Sequence, residues 1–173
     1  MGLELSGESL KAIAHPLRVR LLSLLREEGP STATRLAETV GESSGVTSYH
    51  LRQLEKAGFV AEDETLGSGR DRWWRAVVVD MSLDAPAIRA DFDNAQTYMR
   101  AVAVQDTERI DRWLNNMGTT PPEWDRSATL STFRLRLTAA QAAELITQFD
   151  RLVAALPADR RGEDYPEDTE SVV

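Results

Sequence analysis

Residues 31–60, STATRLAETVGESSGVTSYHLRQLEKAGFV, constrain the fold more than any other part of this chain. Inward-facing positions recur at Leu36, Ala37 and Val40, and again at Thr47, Leu51 and Leu54, both times at helical spacing. Gly41 separates the two runs and Gly58 follows the second, so two short helices joined by a tight turn are expected. Ser31 or Thr32 offers a capping oxygen to the first helix, and Ser43 or Ser44 to the second. The outer side of the second helix is left with Gly45, Ser48, Tyr49, Arg52, Gln53 and Lys56. Small, hydroxyl, amide and cationic groups of this kind suit a helix that enters a DNA major groove and meets base edges.

The flanking sequence supports that reading. A short helix is expected over 6–13, with Leu10 and Ile13 apolar, and His15-Pro16 breaks it because the residue before proline avoids the helical region. Pro16 suits the first turn of a new helix over 16–28, which carries Leu17, Leu21, Leu24 and Leu25 on one face, widened by Val19 and Leu22. Gly29-Pro30 ends it. After Gly58 the period changes from 3.6 to 2, and residues 59–61 and 72–79 read as strands around a hairpin tip at Gly67-Ser68-Gly69. Helix, turn, helix and hairpin in this order make a winged helix-turn-helix.

The candidate DNA-binding residues are therefore Ser44, Gly45, Ser48, Tyr49, Arg52 and Gln53 on the second helix, with Arg70 and Arg72 beside the wing tip. Arginine can bridge guanine O6 and N7, glutamine can pair with adenine, and the helix N-terminus favours phosphate. The alternatives are a plain solvated helix face and strand arginines paired with Asp63, Glu64 or Asp71. Trp73 and Trp74 face opposite sides of their strand; Trp74 is expected in the core, and Trp73 is left open. His15 reads as a hydrogen bonder at a helix junction. His50 reads as a partly buried, satisfied histidine.

The segments LKAIAHPLRVRLLSLL, TATRLAETVGESSGVTSYHLRQLEKAGFV and GSGRDRWWRA resemble the ArsR-like winged-helix transcriptional regulators, closest to the branch without metal ligands that is common in high-GC bacteria. The resemblance covers residues 8–80 and continues more weakly through 121–124 and 135–145. It implies a dimeric DNA-binding regulator. The metal-sensing members carry a cysteine pair on the helix before the recognition helix; this chain has no cysteine, so metal sensing is not carried over.

Beyond the wing, a helix about 48 Å long is expected over 86–117 at 1.5 Å per residue, with Asp106 interrupting its apolar stripe. Its candidate dimerisation residues are Ile88, Phe92, Ala95, Met99, Val102, Ile110 and Trp113, because a small domain cannot cover so long a face. Residues 118–122 read as a linker and 127–137 as a strand whose last five residues alternate. Thr138 caps a helix to 156 with Ala142, Leu145, Ile146, Phe149, Leu152, Val153 and Leu156 apolar. An organic effector between the long helix and this strand-helix unit is a further candidate, enclosed by Phe92, Tyr98, Trp113, Trp124, Phe133 and Phe149, although plain core explains these residues as well.

The expected architecture is mainly α with a small β-hairpin wing. It comprises a winged helix-turn-helix domain over 1–80, a dimerisation and candidate effector region over 81–156, and an acidic tail over 157–173 expected to be disordered. The net charge of −8 opposes bulk attraction to nucleic acid, but residues 1–80 carry only −2 of it and residues 81–173 carry −6. Contacts must then be local and specific. Two histidines, no cysteine and no glycine-rich phosphate loop leave no catalytic constellation, metal site or cofactor to expect. No stretch approaches the ~20 apolar residues of a membrane span or has the makeup of a signal peptide, so a cytoplasmic protein is expected. The expected partners are double-stranded DNA and a second copy of the chain. The alternative is a winged-helix module that binds proteins and not DNA.

Overall fold

The structure is a computed structural model and describes residues 3–66, 72–78, 80–119 and 131–156. The chain divides into two compact units, Met1–Arg109 and Ile110–Val173.

The first unit opens with four helices and short strands, and α5 (Ala85–Ala90) and most of α6 (Phe92–Asn116) follow within it. β1 (Leu3–Glu4) leads into α1 (Gly7–Ile13) and α2 (Pro16–Glu27). His15 caps α2, its Nδ1 accepting the Leu17 N–H at 3.1 Å, with proline in the first turn. β2 (Ser31–Thr32) then opens α3 (Ala33–Val40), and the Thr32 hydroxyl accepts the Arg35 N–H. Of the two caps offered to α4 (Ser44–Lys56), Ser43 is the one used, accepting the Val46 N–H.

Both glycines that punctuate the helix pair are left-handed, Gly41 at φ +73° and Gly58 at φ +79°. At Gly58 the α4 terminus closes as a Schellman motif. The Phe59 N–H reaches the Leu54 carbonyl and the Gly58 N–H reaches that of Glu55, both at 2.9 Å. A side chain at Gly41 meets no atom within 4 Å, so a substitution there is opposed by the backbone alone. Gly41→Ala is expected to cost about 1–2 kcal/mol, read from the urea unfolding midpoint; a negligible change would mean that the turn relaxes out of the left-handed region.

β3 (Val60–Glu62) and β4 (Trp73–Ala76) form the wing, with Val60 opposite Ala76 and Glu62 opposite Trp74. β3 is shifted by one residue from the expected 59–61, β4 is shorter than the expected 72–79, and β4 also pairs antiparallel with β2, giving the order β2-β4-β3. A second sheet, unexpected from the sequence, joins β1 in parallel to β5 (Met81–Ser82). The core contains Leu10, Ile13, Leu21, Leu25, Leu36, Leu51, Leu54, Phe59 and Trp74.

The expected boundary at residue 80 falls inside this unit. Ala95 and Ala101 are buried in the same core, and Met81, Leu83, Ile88, Tyr98 and Val102 pack partly buried against it. The long helix is also broken. α5 (Ala85–Ala90) ends at Asp91, whose φ of −146° and ψ of 74° are not helical, and α6 runs from Phe92 to Asn116. Asp91 then serves the new helix, accepting the Asn94 N–H on its carboxylate. Asp106, within α6, accepts a hydrogen bond from Arg109 one turn on. Two half-buried ion pairs tie α6 to α2, Arg20 to Glu108 at 2.8 Å and Arg109 to Glu27 at 2.6 Å.

α6 continues past Arg109 and ends in a 3-10 turn, Met117–Thr119. In the second unit, α7 (Ala139–Ala154) begins at Thr138 with the capping box that its sequence offers, Gln141 completing it. The strand expected up to residue 137 is not formed over 131–137, which has no regular secondary structure, and residues 127–130 lie outside the described residues. Alternating sequence is not sufficient for a strand, which also needs a neighbour to hydrogen-bond its backbone, and this stretch pairs with none among the described residues. Phe133 and Phe149 are exposed, as is Phe92 in the first unit. Trp124 and the acidic tail lie outside the described residues.

Candidate nucleic-acid interface

The inner face of α4 is fixed by Thr47, His50, Leu51 and Leu54, all buried. α3 packs against α4 on one side, while α2 and β3 hold it on others. The outer face carries Ser44, Gly45, Tyr49 and Arg52 exposed to solvent, with Ser48 and Gln53 half-buried at its margins. The structure therefore brings all six candidates of this helix together on one surface. Tyr49 is 53% exposed, and the Arg52 side chain makes no hydrogen bond or ion pair among the described residues.

Val46, not among the residues picked from sequence, is also exposed on this helix. It is 40% exposed, one turn before Tyr49 at the margin of this face beside Gln53, and an apolar side chain there can meet a thymine methyl. Its spacing of three from Tyr49 was the available signal; its valine identity suggested a buried position instead.

On the wing, Arg72 is mostly exposed and pairs with Glu62 across the strands at 3.5 Å. The partner differs from the three acids considered from sequence, because strand register places Glu62 rather than Asp63 near Arg72. A pair this open contributes little and leaves the guanidinium free to be drawn to phosphate. Arg70 and the glycine tip lie outside the described residues. Trp74 is buried as expected, and Trp73 is half-buried under Arg35 of α3, whose guanidinium carbon lies 5.0 Å from the ring centroid. That contact ties the wing to the first helix of the pair.

Behind α4 two histidines meet. The His15 and His50 rings lie 4.5 Å apart, and Tyr49 meets the His50 ring edge-on at 5.2 Å. Burial lowers the His15 pKa, with Arg18 adding to the effect. His50 is lowered by burial, then by His15 and Arg18, against a small opposing pull from Glu42. Its Nδ1 is buried and makes no hydrogen bond among the described residues, so the expectation of a satisfied histidine holds for burial but not for pairing. Both groups favour the neutral form in the fold, while the unfolded chain takes up protons near the ordinary value of 6.5. Stability from this pair is thus fully present above about pH 6.5 and is lost as pH falls below it. Thermal unfolding of the chain and of His50→Leu between pH 7.5 and 5.5 should show a shallower decline for the variant; parallel curves would exclude the pair as the source.

Of the candidate dimerisation residues, Ala95 is buried in the core of its own chain, Ile88 and Val102 pack partly against that core, and Trp113 is half-buried. Phe92, Met99 and Ile110 are exposed, as are Leu114 and Met117. At 3.6 residues per turn these five lie within about 60° of one another around α6. The single stripe expected from sequence is thus two adjacent faces, one turned inward and one open.

The Helix-turn-helix domain family matches residues 13–63, which span α2 to β3. An uncharacterized HTH-type transcriptional regulator of Mycobacterium tuberculosis is 41% identical over 58 residues, covering 34% of this chain and 51% of that protein. Another, of Methanocaldococcus jannaschii, is 33% identical over 85 residues, covering 49% of this chain and 88% of that protein. The chain belongs to the HTH-type transcriptional regulators. This regulator spans about half the length of the mycobacterial relatives it matches. It is also similar to a solved possible transcriptional regulator for arsenical resistance, 26% identical over 66% of this chain and 98% of that one, at a TM-score of 0.36, a likeness too loose to build on. Among the described residues no helix is long and apolar enough to cross a membrane, and no group of three His, Cys, Asp or Glu is placed to hold a metal ion.

Proposed function

We propose that this regulator binds DNA sequence-specifically as a homodimer on a palindromic or pseudo-palindromic operator, in the cytoplasm, as an ArsR-like regulator without the metal-binding cysteines. The observation that carries the reading is the outer face of α4. It is polar, solvent-exposed and, among the described residues, unpaired at Arg52, yet seated on a buried inner face. Such a helix presents its side chains at fixed positions, as direct readout of base edges requires.

Ser44, Gly45 and Ser48 lie toward the helix N-terminus, where hydroxyls and backbone amides favour phosphate. Tyr49, Arg52, Gln53 and Val46 face the bases, and Arg72 with Arg70 extends the contact from the wing. The homodimer is supported by the open apolar face of α6 at Phe92, Met99, Ile110, Leu114 and Met117, which water disfavours leaving bare. The net charge of −8 favours the second reading, a winged-helix module that binds proteins.

Selection of bound duplexes from a random pool tests both. A selected inverted repeat with half-sites about 10–10.5 bp apart, or a multiple of that, supports the dimeric reader. Failure to enrich any sequence at low salt sinks the DNA reading and leaves the interaction module.

A further inference from the structure

A cleft of about 100 Å³ lies within the first unit, between α2, β5 and α6. Its apolar lining is Val19, Leu22, Met81 and Val102, and Arg26 and Tyr98 line it too. Arg26 projects from the last turn of α2, and its Nε donates to the Val78 carbonyl at 2.7 Å, which fixes the plane of the guanidinium. Among the described residues neither terminal nitrogen of that group finds a hydrogen-bond partner, and Nη2 is buried. A buried donor without an acceptor is costly, and a charged one more so. Asp80 lies close enough to act on Arg26 through space but makes no hydrogen bond to it.

Arg109, at the rim of the same cleft, has its needs met. It donates to Glu27 at 2.6 Å, to Asp106 at 2.8 Å and to the Ser23 hydroxyl at 2.9 Å. The unmatched cation is therefore Arg26. Burial raises the Tyr98 pKa, so its phenol stays protonated and can donate. A fork of guanidinium donors and a phenol, with a small apolar lining, matches a carboxylate on a short alkyl group. Size limits that group. A cavity of about 150 Å³ holds benzene, so this one suits about four or five non-hydrogen atoms.

We propose that the cleft binds a short-chain monocarboxylate. Its carboxylate lies on the terminal nitrogens of Arg26 and on the Tyr98 hydroxyl, and its alkyl group lies on Val19, Leu22, Met81 and Val102. The occupant bridges α2 and α6. The assignment goes beyond DNA recognition and does not depend on it.

Isothermal titration of the full chain, without DNA and at constant ionic strength, tests it with sodium propionate, propionamide and sodium sulfate. Propionate should bind saturably at one per chain, with propionamide and sulfate at least about tenfold weaker. Arg26→Gln, which keeps a donor for the Val78 carbonyl, should lose propionate binding by at least about tenfold. Tyr98→Phe should lose several-fold and reads the same site without touching Arg26, should Arg26→Gln fail to fold. Equal affinity for propionate and propionamide, or for propionate and sulfate, overturns the assignment, as does propionate binding unchanged in either folded variant.

Discussion

Phe59→Ala should destabilise the first unit by about 3–5 kcal/mol, a large part of the roughly 5–15 kcal/mol that holds a typical domain folded. Phe59 is fully buried, and its backbone joins two structures. Its N–H closes the end of α4 on Leu54, and its carbonyl accepts the Val77 N–H beyond β4. The side chain fills the corner where recognition helix and wing meet, so truncation leaves a cavity that neither element can collapse into. Urea unfolding would show a much lower midpoint at similar slope. A loss below about 1 kcal/mol would mean that the corner repacks, and that wing and helix are less firmly joined than their burial implies.

Arg52→Ala should weaken binding to a selected operator about 10–100-fold while leaving the unfolding midpoint unchanged. The two halves of this expectation have different origins. Stability is spared because the Arg52 side chain is exposed and makes no hydrogen bond or ion pair among the described residues. Affinity is lost because a bidentate contact to guanine contributes about 1–3 kcal/mol of discrimination. If Arg52 reads a base, specificity at one position of the half-site relaxes; if it rests on phosphate, the loss is uniform across sequences and the salt slope falls by about 1. An operator affinity equal to that of the unaltered protein would remove Arg52 from the interface.

The parts of this molecule legible in the sequence are those fixed by near neighbours in the chain. The caps at Thr32, Ser43 and Thr138 and the left-handed Gly41 each depend on a few adjacent residues, and each could be anticipated. The outer face of α4 was legible because helical spacing alone separates Thr47, Leu51 and Leu54 from Tyr49 and Arg52. Long-range pairings were not. β2 joins residues 31–32 to 73–74 and β1 joins 3–4 to 81–82, strands of two residues that leave no periodic trace. The stripe on α6 misled for a related reason: period 3.6 marks apolar positions but not which partner covers them, so Ala95 in its own core and Phe92 in solvent looked alike. Residues 131–137 show the opposite failure, with period-2 alternation and nothing described to pair with.

The β1–β5 joint closes the first unit into a ring. Leu3 and Leu5 donate to the carbonyls of Asp80 and Ser82 at 2.9 and 2.8 Å, so a segment preceding the helix pair is fastened to one that follows the wing. Few hydrogen bonds hold this closure, and pairing so short would fray in isolation. Its anchor is the side chain of Leu5, which is 1% exposed and sits in the common core. α1, which begins two residues later, packs on α4. Mechanically, then, any shift of the segment leading into α5 and α6 has a second route to the recognition helix, through one leucine, and whether that route transmits or slips is set by how firmly Leu5 stays seated.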